Sequence, residues 1–366
     1  MADPDRRRVG LVLGAGGVLG GAWLSGALHA IASETGWDPG SSDYVVGTSA
    51  GSIVGALLAC GGPPWFMVTP TASRPTRYDA SGGPTATAER PTGFLLHRGG
   101  RVLGPGSWRL ALSSLARPYK YSPAALVAGW LPLGPISTEP LKDTVRRVCD
   151  EPWAPHPNYW AVAVDYQTGR RVAFGRSDAP RAELPDAVAA SCAIPGFFRA
   201  VEITGRRYVD GGIRSASNLD VLANEHLDLV IALNPMSSLH AAAPHTLGER
   251  IAIAMRQASG RRLGNEAKRL RAAGTDVLLI QPTVHDLDVM GTNLMSRGRR
   301  RAVMETAVQT VSEHLRESPI GERLAELPRG LPELVRRPQG PGQSWPDFKM
   351  LARARWKGSE TRATSA

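Results

Sequence analysis

The chain has 366 residues, 42% of them hydrophobic, and a formal charge of +10. That length suits one large α/β domain with insertions as well as two smaller ones, and no uninterrupted apolar stretch is long enough to cross a bilayer as a helix. The three cysteines, Cys60, Cys149 and Cys192, form no CxxC pair and cannot all be bridged. This excludes a disulfide framework and a zinc pattern and reads as packing in a reducing compartment.

The N-terminal arm, residues 1–8, lacks the apolar core and small-residue cleavage site of a secretory signal, so a cytoplasmic location is expected. Residues 8–13 read as a buried strand, the glycine-rich turn 14–21 follows, and an apolar helix is predicted over 22–33. Tyr44-Val45-Val46 forms a second short strand closing at Gly47, and residues 52–59 have helical character. Two successive strand-loop-helix units predict a parallel sheet with helices on its faces. Over 61–105 the composition turns to Pro, Thr, Ser, Gly and Arg, which leaves little to bury. We read 61–135 as an insertion or lid, with short helices between Trp108 and Trp130 that roof the site. A helix is expected over 138–148, and a hairpin joins 159–164 to 171–174. A helix ending near Ala193 is followed by a hairpin through Gly205 and a strand at 229–233. A last unit has a helix over 247–273, a strand over 276–280 and a helix over 301–315. Arg297, Arg299, Arg300 and Arg301 read as a solvated helix start. Residues 321–366 are rich in Pro, Gly and Arg and are expected to form a basic, largely disordered tail suited to anionic surfaces.

The run Gly47-Thr48-Ser49-Ala50-Gly51 sits between a strand and a small-residue helix. That is the context of a nucleophile elbow, in which Gly47 and Gly51 permit the tight turn and the Ser49 hydroxyl projects at a helix N-terminus. The amides of Gly14, Ala15, Gly16 and Gly17 are candidate oxyanion donors. The same glycines also make a GxGxxxG variant of a dinucleotide fingerprint, but the second strand ends in Gly47-Thr48-Ser49 rather than in a ribose-binding acid. A serine needs a base, and Asp210, followed by Gly211 and Gly212, stands at a strand end. His226, His240, His245 and His285 come after it in the Ser, Asp, His order, so the residues alone leave dyad and triad open.

Taken together, these motifs resemble the patatin-like phospholipases over roughly residues 9–320. The resemblance rests on the glycine loop with Gly26-Ala27-Leu28, the elbow, Ile136-Ser137-Thr138-Glu139-Pro140-Leu141, the run from Ala189 to Phe198, and Tyr208-Val209-Asp210-Gly211-Gly212. It implies a three-layer α/β/α fold with a central mainly parallel sheet. It also implies a Ser49-Asp210 dyad without histidine and hydrolysis of fatty-acyl esters of lipids with no cofactor or metal. The expected partners are lipid esters and, peripherally, an anionic membrane, with no nucleic acid. Lipid acyl transfer and a non-catalytic lipid-binding module are the alternatives. This chain departs from the family in its loop, where Val18-Leu19-Gly20-Gly21 replaces the usual Arg or Lys and adds one residue.

Overall fold

The computed structural model describes residues 6–69, 77–78, 84–85, 106–116, 128–132, 134–238, 247–337 and 344–364. Its core is an eight-stranded, mainly parallel sheet. In chain order the strands are β1 (Val9–Leu13), β2 (Tyr44–Thr48), β3 (Tyr159–Asp165), β4 (Arg171–Phe174), β5 (Val201–Ile203), β6 (Arg206–Asp210), β7 (Leu229–Leu233) and β8 (Asp276–Ile280). They lie in the order β8-β7-β1-β2-β3-β6-β5, with β4 on the free edge of β3. The pairs from β8 to β3 are parallel; β4, β5 and β6 join by antiparallel pairs.

The five central residues of β1 and of β7 are all buried, as expected of strands covered on both faces. Leu11, Leu13, Val45, Tyr159, Ile231 and Leu233 face one helical layer. That layer holds α1 (Gly17–Thr35), α2 (Ala50–Ala59), α5 (Glu139–Val148), α6 (Leu184–Ser191) and α9 (Arg300–Glu317). Val12, Val46, Val162, Val230 and Val277 face the opposite layer, built on α7 (Leu247–Ala272). Alternate residues of each strand thus supply two cores, and the fold is the three-layer α/β/α arrangement expected. No helix among the described residues is long and apolar enough to cross a membrane.

Much of the expected insertion lies outside the described residues. Its beginning differs from the prediction: in α3 (Pro64–Met67), Trp65 and Phe66 are 0% and 1% exposed, so this stretch belongs to the core. Further on, α4 (Trp108–Ala116) packs Leu110 against Val164, Tyr166, Val209 and Ile213.

The last segment also departs from expectation. The helices α8 (Val284–Met290), α10 (Pro319–Ala325), α11 (Pro332–Val335) and α12 (Trp345–Thr364) were not predicted. Phe348 and Ala352 of α12 are buried in the core beside Phe66, where the sequence reading expected a disordered tail. The cause is long-range: Arg355 pairs with Asp38, both buried, and Lys349 and Arg353 pair with Asp150. Composition carries no record of such distant acidic partners.

Candidate active site

Ser49 is the single residue between the end of β2 and the start of α2. Its backbone has φ 53° and ψ −123°. A side-chain-bearing residue holds that conformation only where its surroundings impose it, at a cost of about 1–3 kcal/mol. Here the two flanking glycines allow it. A Cβ at Gly51 would overlap the Leu13 carbonyl, and one at Gly47 would overlap the Cα of Ser52. The chain can therefore fold back tightly over the end of β1, leaving Ser49 at the head of α2.

The register of β3 explains how Asp210 reaches this serine. Thr48 pairs with Val162 and Asp210 pairs with Ala163, while β4 occupies the other edge of β3 at these positions. So β2 and β6 run toward each other along one edge and end at adjacent positions. Two segments far apart in sequence thereby deliver a hydroxyl and a carboxyl to the same spot, at the C-terminal edge of the parallel strands where α/β sheets bind ligands.

Asp210 is 5% exposed. Burial pushes its carboxyl up to about 6, against hydrogen bonds from the Ser49 side chain and the Gly212 amide that favour the charged form. The Gly212 N–H donates to Asp210 Oδ1 at 2.7 Å. Asp210 N–H donates to the Ala193 carbonyl at 3.0 Å, tying the acid to the end of α6. Neither Ser49 nor Asp210 hydrogen-bonds a histidine among the described residues. His226 stands in a left-handed turn and His285 within α8, and His240 and His245 lie outside the described residues.

The glycine loop is narrowed by its own hydrogen bonds. Gly14 N–H donates to the Leu233 carbonyl and Ala15 N–H to the Ala216 carbonyl, each at 2.8 Å, so neither is available to an oxyanion. The amides of Gly16 and Gly17 have no acceptor among the described residues, and the same holds for Ala50, the residue after the serine. Ser49 N–H is itself committed, donating to Ser191 Oγ at 2.9 Å, and Ser191 passes a hydrogen bond to the Val162 carbonyl at 2.6 Å.

A family model described as patatin-like phospholipase matches residues 11–223. The chain belongs to that family. Uncharacterised NTE family proteins of Mycobacterium bovis and Mycobacterium tuberculosis are 30% identical to it over 227 residues, which is 62% of this chain and 49% of theirs. The chain thus spans about half the length of these relatives. The matched patatin-like region contains the glycine loop, the elbow and Asp210 with its glycines; β7 and β8, which follow it, complete the sheet.

Within this patatin-like site the sequence reading missed two buried groups. Ser191 carries no role in the sequence pattern beyond its place in the run from Ala189 to Phe198, yet its hydroxyl accepts from the Ser49 amide and fixes that backbone. Asn218, 0% exposed and in a left-handed turn, donates from Nδ2 to Thr48 Oγ1 at 3.0 Å, to the Ser215 carbonyl at 2.6 Å and to the Gly211 carbonyl at 3.4 Å. It therefore joins the residue before Ser49 to the residue after Asp210. Its Oδ1 accepts from Arg171, which also pairs with Asp220. The only sequence signal is position, eight residues beyond Asp210. Cys192, by contrast, keeps its expected role: burial and then the Asp210 charge drive its thiol well above the ordinary range, so it stays neutral inside the core.

Proposed function

We propose that the protein is a serine acyl hydrolase that cleaves fatty-acyl esters of lipids through Ser49 and Asp210. The observation that carries this reading is the buried hydroxyl-carboxyl pair: β2 and β6 bring Ser49 and Asp210, each 5% exposed, to adjacent strand ends, and the carboxyl, pushed up to about 6, is ionised at neutral pH yet basic enough to take a proton. Asp210 accepts the Ser49 proton as Oγ attacks the ester carbonyl. The amides of Gly16, Gly17 and Ala50 are the donors free to face the oxyanion, and fixed N–H groups need no basic side chain in the loop. The protonated Asp210 then releases its proton to the departing alcohol. The acyl-enzyme on Ser49 is cleaved by a water that Asp210 activates in turn. The family supports a lipid substrate, and the meeting of Ser49 and Asp210 at adjacent strand ends, with no histidine bonded to either among the described residues, supports a dyad rather than a triad.

A fluorophosphonate probe tests the assignment. It should label the wild type and fail to label Ser49→Ala, while Asp210→Asn should label at least about a hundredfold more slowly. Equal labelling of Ser49→Ala and the wild type would remove Ser49 from the mechanism.

A further inference from the structure

Four of the large apolar side chains left exposed gather in one place. Trp108 is 60% exposed, Leu112 58%, Trp130 42% and Leu131 36%. Trp108 and Leu112 lie one helical turn apart on α4, and the Trp108 and Trp130 rings meet edge to face at 6.4 Å. Backbone hydrogen bonds from Gly106 to Leu131 and from Ser107 to Gly129 fasten the two segments together. The remaining exposed apolar residues, such as Met255, Val284, Leu331 and Met350, lie on other elements.

The position of this patch gives it meaning. The underside of the same unit, Leu110 and Ala128, packs on Val209, next to Asp210, and on Ile213, just past Gly212. Leu131 lies against Gly196, in the loop that follows α6. The exposed tryptophans therefore lie on the unit that packs against the last residues of the strand ending in Asp210. The segments that frame the patch contribute Arg109, Arg170, Arg206 and Arg207. Against these four arginines the same segments carry three carboxyls: Asp165 and Asp210 are 3% and 5% exposed, with Asp165 engaged by Arg206, and Glu202 is exposed opposite Arg207 on β5. An exposed pair of tryptophans with a basic surround matches a membrane interface, where indole rings settle at the headgroup level and arginines meet phosphate.

We propose that this face is the surface by which the protein docks on an anionic phospholipid bilayer, with Trp108, Leu112, Trp130 and Leu131 entering the interface. The inference deepens the proposed function, since an ester resident in a bilayer must reach a buried serine without crossing bulk water.

The test uses the full chain carrying Ser49→Ala, so that vesicles survive the measurement and binding is read apart from turnover. Co-sedimentation with phosphatidylcholine vesicles containing phosphatidylglycerol should show binding that weakens with salt. The double substitution Trp108→Gln with Leu112→Asn should reduce partitioning by about tenfold or more, with an unchanged thermal midpoint as the check on folding. Met350→Gln, 66% exposed on α12, should bind like its parent. Equal binding by the double variant and its parent would overturn the proposal. So would a concentration-dependent dimer that Leu112→Asn dissolves in the absence of vesicle binding, which would give the face to a second copy of this chain. A loss of esterase activity from neither Ser49→Ala nor Asp210→Asn would sink the proposed function and leave this surface untouched.

Discussion

Asp210 is under strain of an electrostatic kind, and two measurements follow from it. In its proposed role as proton acceptor it must be ionised, so kcat/KM on a soluble ester should rise with pH and level off above about 6. The stability consequence has the opposite sign. The ordinary value for this carboxyl is 3.8 and burial raises it to about 6. Between those values the unfolded chain gives up the proton while the folded protein keeps it, so folding loses stability as pH rises through the window. The full penalty, on the order of 3 kcal/mol, is present above the upper value. Asp210→Asn removes the charge and keeps an oxygen to accept from Gly212. It should melt higher than the wild type near pH 8 and level with it near pH 4, by thermal unfolding at a series of pH values. An offset independent of pH would show that burial does not raise this carboxyl. Ser49 and Asp210 stand out in the sequence as candidates because each lies beside glycines, and the structure brings the two to adjacent strand ends. The candidate oxyanion donors could be named from the sequence only as a group. Which amides remain free depends on Leu233 and Ala216, carbonyls about two hundred residues away in the chain, and no local pattern encodes that.

Between elements, the site depends on β2 and β6 ending at consecutive positions of β3, and Asn218 bridges the two ends. Its substitution separates positioning from packing. Asn218→Asp keeps the size, the tolerance for a left-handed turn and the acceptor for Arg171, but loses the donors to Thr48 and to the Gly211 and Ser215 carbonyls. Leaving those acceptors unpaired corresponds to about 1–3 kcal/mol. If the cost falls on the alignment of Ser49 with Asp210, kcat should drop about tenfold or more with KM little changed. A second negative charge nearby should also carry the pH midpoint upward from about 6. A loss of thermal stability with unchanged kcat and midpoint would make Asn218 merely structural. The strands themselves were readable from short apolar runs bounded by glycine, and all eight main-sheet strands lie where the pattern put them. Their order was only partly readable. Parallel pairing follows from alternating strand and helix, but the head-on meeting of β2 and β6 is a matter of register on a third strand.

At the scale of the whole molecule, α12 returns the end of the described chain to its first hundred residues. It closes over Gly61 and Gly62, places Phe348 on Phe66 and sets Arg355 on Asp38 in the loop before β2. The helix escaped sequence reading because its buried side is narrow and its charges look solvated until Asp38 and Asp150 are seen opposite them. Burial pushes the Asp38 carboxyl upward even with Arg355 beside it, and the Gly40 amide and Arg355 pull the other way. Removing the guanidinium by Arg355→Ala leaves a carboxylate that is 3% exposed without its cation. A charge stranded in this way typically costs about 3–5 kcal/mol. The loss should be largest at neutral pH and shrink as acid protonates Asp38, because a neutral carboxyl no longer needs the arginine. Denaturant unfolding of Arg355→Ala near pH 7.5 and near pH 4.5 reads this directly, with Phe348→Ala as the companion that lacks pH dependence and costs about 3–5 kcal/mol by cavity formation. If both variants unfold with wild-type midpoints, α12 is not anchored to the core, and the strand-end geometry around Ser49 must be held by the sheet alone.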